Sequence, residues 1–322
     1  MIKKKSRIFI AGHNGLVGSS VLGLLKKKNY SNLIIENKRN LDLRNYHNVD
    51  KFFKKKKIEF LIICAARVGG IMANSKYPTE FLLENLQIQN NLLTCANKYN
   101  LKRTIFLGSS CIYPKYSKTP IKENNLLNGK LEKTNEAYAL AKIAGIKLSQ
   151  FIYSQYGKDI ICLMPTNIYG TNDNFQEKTG HVIPGLITKF LKAKRNRKDV
   201  EVLGTGKPLR EFLHVDDLSN AIYVSLKISK KKLKKIFDSE LPLLNVGTGQ
   251  NISIKNLANL ISKIINFKGK ILFNKQFPDG TYKKNLDSRL MRKLGWSPKI
   301  KLKEGLEKVI SKRYQKVKRA NR

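Results

Sequence analysis

Three glycines, Gly12, Gly15 and Gly18, stand between a short apolar run and an amphipathic one. They constrain the fold more than any other feature. The apolar run, residues 7–11 (RIFIA), suits a buried strand, and Val21, Leu22, Leu24 and Leu25 then repeat at helical spacing up to Asn29. A strand that turns through glycine into a helix presents unpaired N–H groups and the positive end of the helix dipole, a setting that takes a pyrophosphate. The spacing is G-x-x-G-x-x-G, not the commoner G-x-G-x-x-G. Its position between strand and helix is what gives it weight.

The alternation continues along the chain. Residues 33–35 read as a strand, and Val49, Phe52 and Phe53 as a helix ahead of the lysine cluster at 54–57. Residues 60–65 are continuously apolar, as buried parallel strands are. Pro78 opens a helix that runs to about Tyr99. Residues 104–108 and 160–164 read as strands on either side of a helix at 135–156. This predicts an α/β fold: a Rossmann-type doubly wound parallel sheet over residues 1–170, with a later return to it around 211–247. The remainder of 171–322 is expected to form a smaller C-terminal α/β substrate-binding domain. There, 172–178 reads as a polar loop, 182–194 as a helix, and 210–215 as one extended segment leading to Asp216 and Asp217 at a helix start, where carboxylates suit the dipole. Ser253 is the expected N-cap of a helix over 254–265.

Composition narrows the classes. Lys and Arg number 63 against 23 Asp and Glu, a net charge of +40, but the lysines are spread over the whole chain. With no helix-turn-helix, RNP or zinc motif, no specific nucleic-acid partner is expected. The longest apolar run, 60–66, is far below the roughly 20 residues of a membrane-spanning helix, and residues 8–11 are too short for a signal segment. Cys64, Cys95, Cys111 and Cys162 form no C-x-x-C pair, and His13, His47, His181 and His214 show no metal-ligand spacing. A cytoplasmic protein with reduced thiols, no metal and no membrane partner is the expectation.

A second constellation carries chemistry. Tyr138 and Lys142 lie four apart on a helix and share a face, while Ser109 leaves the C-terminal end of a strand, where open α/β sheets place their ligands. A lysine ammonium beside a phenol favours phenolate, which suits a tyrosine that gives a proton to a carbonyl oxygen as hydride reaches the carbon. About 20 residues past the glycines stand Glu36, Lys38 and Arg39. An acid there suits NAD and basic groups suit NADP, so the residues leave the cofactor divided.

Together these motifs resemble the extended short-chain dehydrogenase/reductases that act on sugar nucleotides, and within them the GDP-L-fucose synthase family. The resemblance covers nearly the whole chain: GHNGLVG (12–18), AARVGGI (65–71), LGSSCIYP (107–114), AYALAKIAGIKL (137–148), MPTNIYG (164–170), HVIP (181–184), REFLHVDD (210–217), NVGTG (245–249) and PDGT (278–281). It implies an NADP(H) enzyme that epimerises GDP-4-keto-6-deoxy-D-mannose at C3 and C5 and then reduces C4, with a GDP-sugar as substrate and a homodimer as its assembly. It assigns Ser109, Tyr138 and Lys142 to the reduction, and Cys111 and His181 to epimerisation. The chemistry agrees: carbons flanking a ketone are acidified, and inverting them needs a base on one face and an acid on the other. The resemblance also implies cofactor contacts from Gly12, His13, Asn14, Gly15, Leu16, Val17, Gly18, Lys38, Arg39, Leu107, Gly108, Ser110, Lys142, Pro165, Thr166, Asn167, Ile168 and His181. Substrate contacts are implied at Lys189, Leu203, Arg210 and Asp279. Asn14 and Glu36 stand where basic residues are expected, and Leu203 where a Trp is.

Overall fold

The structure is a computed structural model that describes residues 2–177, 180–237, 240–277, 279 and 281–320. Lys178 of the expected loop, Pro278 and Gly280 of the 278–281 run and the last two residues of the basic tail lie outside the described residues.

The chain alternates through β1 (Ile8–Ala11), α1 (Leu16–Lys27), β2 (Leu33–Ile34), α2 (Tyr46–Lys56), β3 (Phe60–Ile63), α3 (Ile71–Lys76), α4 (Pro78–Lys98), β4 (Arg103–Leu107), α5 (Glu136–Tyr156) and β5 (Ile160–Pro165). It continues with β6 (Asn167–Tyr169), α6 (Val182–Asn196), β7 (Val200–Leu203), β8 (Leu209–Arg210), β9 (Phe212–His214), α7 (Val215–Lys227) and α8 (Lys230–Phe237). The last elements are β10 (Leu243–Val246), β11 (Ile252–Ser253), α9 (Ile254–Ile265), β12 (Ile271–Asn274), β13 (Lys283–Lys284), α10 (Arg289–Lys293) and α11 (Leu302–Ala320).

The central sheet has six parallel strands in the order β10-β5-β4-β3-β1-β2. The chain leaves β1 for β2 at one edge, then crosses back to β3 on the other side of β1. That reversal opens a crevice beyond the C-terminal ends of β1 and β3, the place where open α/β sheets bind ligands. Every residue of β1 and β3 is buried, because helices cover both faces. Phe9, Ala11, Leu61 and Ile63 pack with Phe53 of α2, Leu92 of α4 and Ile146 of α5. Ile8, Ile10, Phe60 and Ile62 pack on the opposite face with Val21 and Leu25 of α1 and Ile222 of α7. Hence the strands read as unbroken apolar runs instead of alternating ones.

A third core lies in the second half, where Ile187 and Phe190 of α6, Leu257 and Ile261 of α9 and Leu306 and Val309 of α11 close over Val200 and Val202 of β7. Ser253 caps α9 as expected, its side chain accepting from Asn256 N at 3.1 Å. The expected single extended segment at 210–215 is divided. β8 pairs with β11 and β13, whereas β9 pairs with β6. At the joint Glu211, fully buried, accepts from Gly249 N at 2.6 Å and Leu286 N at 2.8 Å. Asp217 does more than face the dipole of α7. Its carboxylate accepts from Lys299 N at 3.1 Å and Ile300 N at 2.9 Å, clasping the C-terminal segment.

Arg103, at the start of β4, anchors α7 to the sheet. It pairs with Asp159 at 2.8 Å, both side chains under a tenth exposed, and donates to Ser225 O at 2.8 Å and Ile228 O at 2.6 Å. Removing one member of a buried pair strands its partner. Arg103→Ala should therefore lower the unfolding free energy by about 3–5 kcal/mol, read from urea denaturation. A loss below about 1 kcal/mol would show that water substitutes for the guanidinium.

Candidate active site

A cleft of about 860 Å³ occupies the crevice, walled by the glycine loop, the ends of β3, β4 and β5, residues 181–184, Arg210 and Phe212. Gly12 has φ 87°, and a Cβ there would lie 2.6 Å from Ala65 N; a Cβ on Gly18 would lie 2.2 Å from Gly12 O. Both contacts are backbone and cannot yield, so only glycine lets α1 come this close to β1 and β3. No side chain caps α1, and His13 is buried with Nδ1 unpartnered among the described residues. Open helix N–H groups and an orphaned polar atom beside a backbone-lined cradle fit a dinucleotide pyrophosphate.

At the other end of the cradle Glu36 and Lys38 wall the cleft, whereas Arg39 is exposed outside the lining. Asn14 donates to Asn37 Oδ1 at 2.7 Å. Asp42, Arg44, Arg67 and Glu84 form a chain of ion pairs along this wall: Arg44 bonds Asp42 at 2.6 Å and Glu84 at 3.6 Å, and Arg67 bonds Glu84. Sequence reasoning missed these four. An Asp-x-Arg pair on a loop is common, and the 65–71 run was legible as a motif but not as a cleft wall. Asn85 fixes that run, accepting from Arg67 N and donating to Arg67 O.

The Ser-Tyr-Lys set meets at the end of β4. Gly108 lies close under Met164, where a Cβ would come within 2.3 Å of Sδ and push that side chain aside. Ser109 is extended, and its Oγ accepts from Cys111 N at 3.3 Å. Lys142 is 3% exposed; its Nζ donates to Leu107 O at 2.9 Å and lies 5.8 Å from the Tyr138 ring centre. Tyr138 packs edge-on against Phe81. Burial lowers Lys142 to about 8. It pushes Tyr138 well above the usual tyrosine range, with the Cys111 sulfur adding to the rise. This reverses the expected acidification of the phenol by the ammonium. Desolvation outweighs any help from Lys142, whose bond goes to a carbonyl.

Cys111 sits in a single 3₁₀ turn, Ser110–Ile112, buried immediately behind the cleft wall and not in the lining itself. Burial raises its thiol, while the ammonium of Lys284, the Ser109 hydroxyl and Lys142 pull it down. His181, the N-cap residue of α6, opens onto the cleft; desolvation by the surrounding protein lowers its imidazole.

The remaining expected positions divide. Leu16, Val17, Leu107, Ser110, Pro165, Thr166, Asn167 and Ile168 wall the cleft. So does Arg210, which donates to Leu209 O at 2.9 Å and Thr281 O at 2.6 Å. Lys189, Leu203 and Asp279 are outside the lining: Lys189 donates to Glu201 O at 3.0 Å, Leu203 is 45% exposed, and Asp279 accepts from Thr205 N at 2.9 Å.

Residues 8–238 match the NAD dependent epimerase/dehydratase family. The chain is 46% identical to a putative GDP-L-fucose synthase 2 of Arabidopsis thaliana, over 95% of this chain and 91% of that protein. It is 43% identical to the GDP-L-fucose synthase of Escherichia coli K12, over 94% of each. Among solved structures, a GDP-mannoheptose C4 reductase from Campylobacter jejuni with NADP bound superposes with a TM-score of 0.88 at 35% identity, covering 98% of this chain and 100% of that one. The cradle, the strand-end Ser-Tyr-Lys set and these likenesses agree, and the chain belongs to the NAD dependent epimerase/dehydratase family, in its GDP-L-fucose synthase branch.

Proposed function

We propose that the chain converts GDP-4-keto-6-deoxy-D-mannose to GDP-L-fucose, epimerising C3 and C5 and then reducing C4 with NADPH. The observation that supports this reading is that Ser109, Tyr138, Lys142 and His181 line one cleft, with Cys111 buried behind its wall two residues past Ser109. The glycine loop holds the cofactor pyrophosphate, and Lys38, with Arg39 behind it, takes the 2′-phosphate. Leu107, Gly108, Ser110 and residues 165–168 enclose the nicotinamide end. When bound, NADPH supplies the hydride for C4. Lys142 grips the nicotinamide ribose, Ser109 holds the ketone oxygen and Tyr138 protonates it. A ketone oxygen gaining negative charge against Tyr138 favours transfer of a proton that burial holds firmly in the free protein. Cys111 removes protons beside the ketone and His181 returns them on the opposite face. Arg210 grips the diphosphate, with Lys189, Leu203 and Asp279 toward the nucleoside.

The second half of the chain, 171–322 without the return at 211–247, serves as the substrate-binding domain. A homodimer accounts for apolar side chains that α4 and α5 leave outward: Leu83, Leu140 and Phe151 are 51%, 44% and 59% exposed. No helix among the described residues is long and apolar enough to cross a membrane, and all four cysteines are free, which supports a cytoplasmic, reducing setting.

Tyr138→Phe should lose reduction by about 10²- to 10⁴-fold yet still exchange solvent deuterium into the sugar. Cys111→Ala should do the reverse, losing exchange while its hydride machinery stays intact. Mass spectrometry of the sugar after incubation in D₂O separates the two, and wild-type exchange by Cys111→Ala at both carbons would refute the division.

The Lys142 cation is lost as pH rises through about 8. So kcat/KM for NADPH, which reports the free protein, should fall on the alkaline side of that value. A profile flat to pH 10 would remove Lys142 from cofactor binding.

Lys38→Ala should raise the KM for NADPH by on the order of tenfold and leave NADH nearly unchanged, since a charge-assisted contact to the 2′-phosphate is lost. Arg39→Ala should have the smaller effect. Equal changes with both cofactors would assign Lys38 elsewhere.

A further inference from the structure

Lys284 has no part in the roles assigned above, and its setting is unusual for this chain. Among 63 Lys and Arg facing 23 Asp and Glu, an unpaired lysine on the surface carries no information. Lys284 is half-buried, and burial holds its ammonium below the ordinary lysine value. Among the described residues its Nζ has no hydrogen bond or ion pair. The carboxylate it faces, Glu132, is engaged by Lys115 at 3.1 Å and by the Thr281 hydroxyl at 3.3 Å. A half-buried cation without a fixed partner has given up part of its hydration with no bond in return.

The backbone fixes where this cation stands. β13 pairs in parallel with β8, placing Lys284 opposite Arg210, which walls the cleft. Just beyond, Ile121 N donates to Asn285 O at 2.9 Å, and Asp287 N donates to Ile121 O at 2.8 Å. Asn245 Nδ2 also donates to Ile121 O, at 2.9 Å, and the Tyr113 hydroxyl donates to Asn245 Oδ1 at 2.6 Å. Tyr113 closes the 3₁₀ turn that carries Cys111. Buried hydrogen bonds thus join the strand of Lys284 to the turn of Cys111.

We propose that Lys284 is a positioning residue for epimerisation, its ammonium facing Cys111 from the strand beside Arg210 so that the thiol can give up its proton and act as the base. This rests on the reading of Cys111 as that base. In the step, the proton on C3 or C5 passes to the Cys111 sulfur and the C–H electron pair moves onto the C4 carbonyl oxygen. The pair then returns from the oxygen to the carbon as it takes a proton from the His181 imidazolium on its other face; the Cys111 thiol gives its proton to water, and the His181 imidazole takes one from water. The groups facing Cys111 are Lys284 from β13, Lys142 and Tyr138 from α5, and the Ser109 hydroxyl; those facing Lys284 are Cys111, Arg210 from β8 and Glu132. Arg210 opposes the charge on Lys284 and Glu132 supports it. Of the two cations near Cys111, Lys284 exerts the larger pull on the thiol.

The test reads the thiol directly and needs no turnover. Wild type, Lys284→Met and Lys284→Arg are alkylated with iodoacetamide from pH 6 to 10, and modification of Cys111 is followed by peptide mass spectrometry. Cys95, fully buried, is read in the same digest as a monitor of unfolding. The methionine variant should move the Cys111 midpoint up by about one pH unit, slowing modification roughly tenfold at pH 8, and arginine should restore most of it. If Cys95 becomes reactive in the methionine variant, the comparison of wild type with arginine and with Lys284→Gln decides. An unchanged midpoint overturns the proposal whatever reaction the chain performs. A raised KM for the GDP-sugar with that unchanged midpoint assigns Lys284 to the diphosphate instead. A shifted midpoint whose deuterium exchange into the sugar does not follow it leaves Lys284 acting on the thiol and removes Cys111 as the base.

Discussion

The site depends on how closely α1 can approach the ends of β1 and β3. Gly18 stands over the Gly12 carbonyl and Gly12 over the Ala65 amide, at separations where a single methyl group would overlap backbone. That contact sets the helix N-terminus at the floor of the crevice, and the two apolar faces of the sheet then hold it there through Val21 and Leu25. Because the crevice lies where the strand order reverses, the floor is also the point from which β3, β4 and β5 deliver Ala65, Ser109 and Pro165.

The second organising fact is the expense of placing ionisable groups out of water. Lys142 is enclosed near Cys64, Cys111 and Cys162, and one carbonyl, that of Leu107, receives its ammonium. Burial raises every one of those thiols and the neighbouring phenol. The burial of these groups therefore favours their neutral forms. A ligand that brought a polar carbonyl and a diphosphate to these groups would alter that balance. The large surplus of surface lysines has no comparable effect, since solvated and widely spaced charges are screened over about 10 Å.

Legible in the residues alone were the features that local physics dictates. Unbroken apolar runs at 60–65 and 160–164 meant strands buried on both faces, and the glycine spacing meant a turn into α1. Tyr138 and Lys142 shared a helical face by simple periodicity. What could not be read were consequences of tertiary contact. Nothing local in 210–215 told that Glu211 would be buried and would split one strand into two, because its partners at Gly249 and Leu286 are far along the chain. The ion-pair chain from Asp42 to Glu84 needs four residues brought together from two loops and a helix. The reversal of the expected tyrosine shift has the same origin. Spacing shows that a lysine is near, but not that its ammonium turns toward a carbonyl while the phenol loses water.

Glu211 has a mechanical consequence. One carboxylate simultaneously receives the loop after the last central strand, through Gly249, and the chain following β13, through Leu286; a Cβ on Gly247 would lie 2.4 Å from it. Arg210 and Lys284 are carried on the strands beside this rivet. The side of the cleft that carries Arg210 and the sheet whose strand ends form its other side are thus riveted through a single buried side chain.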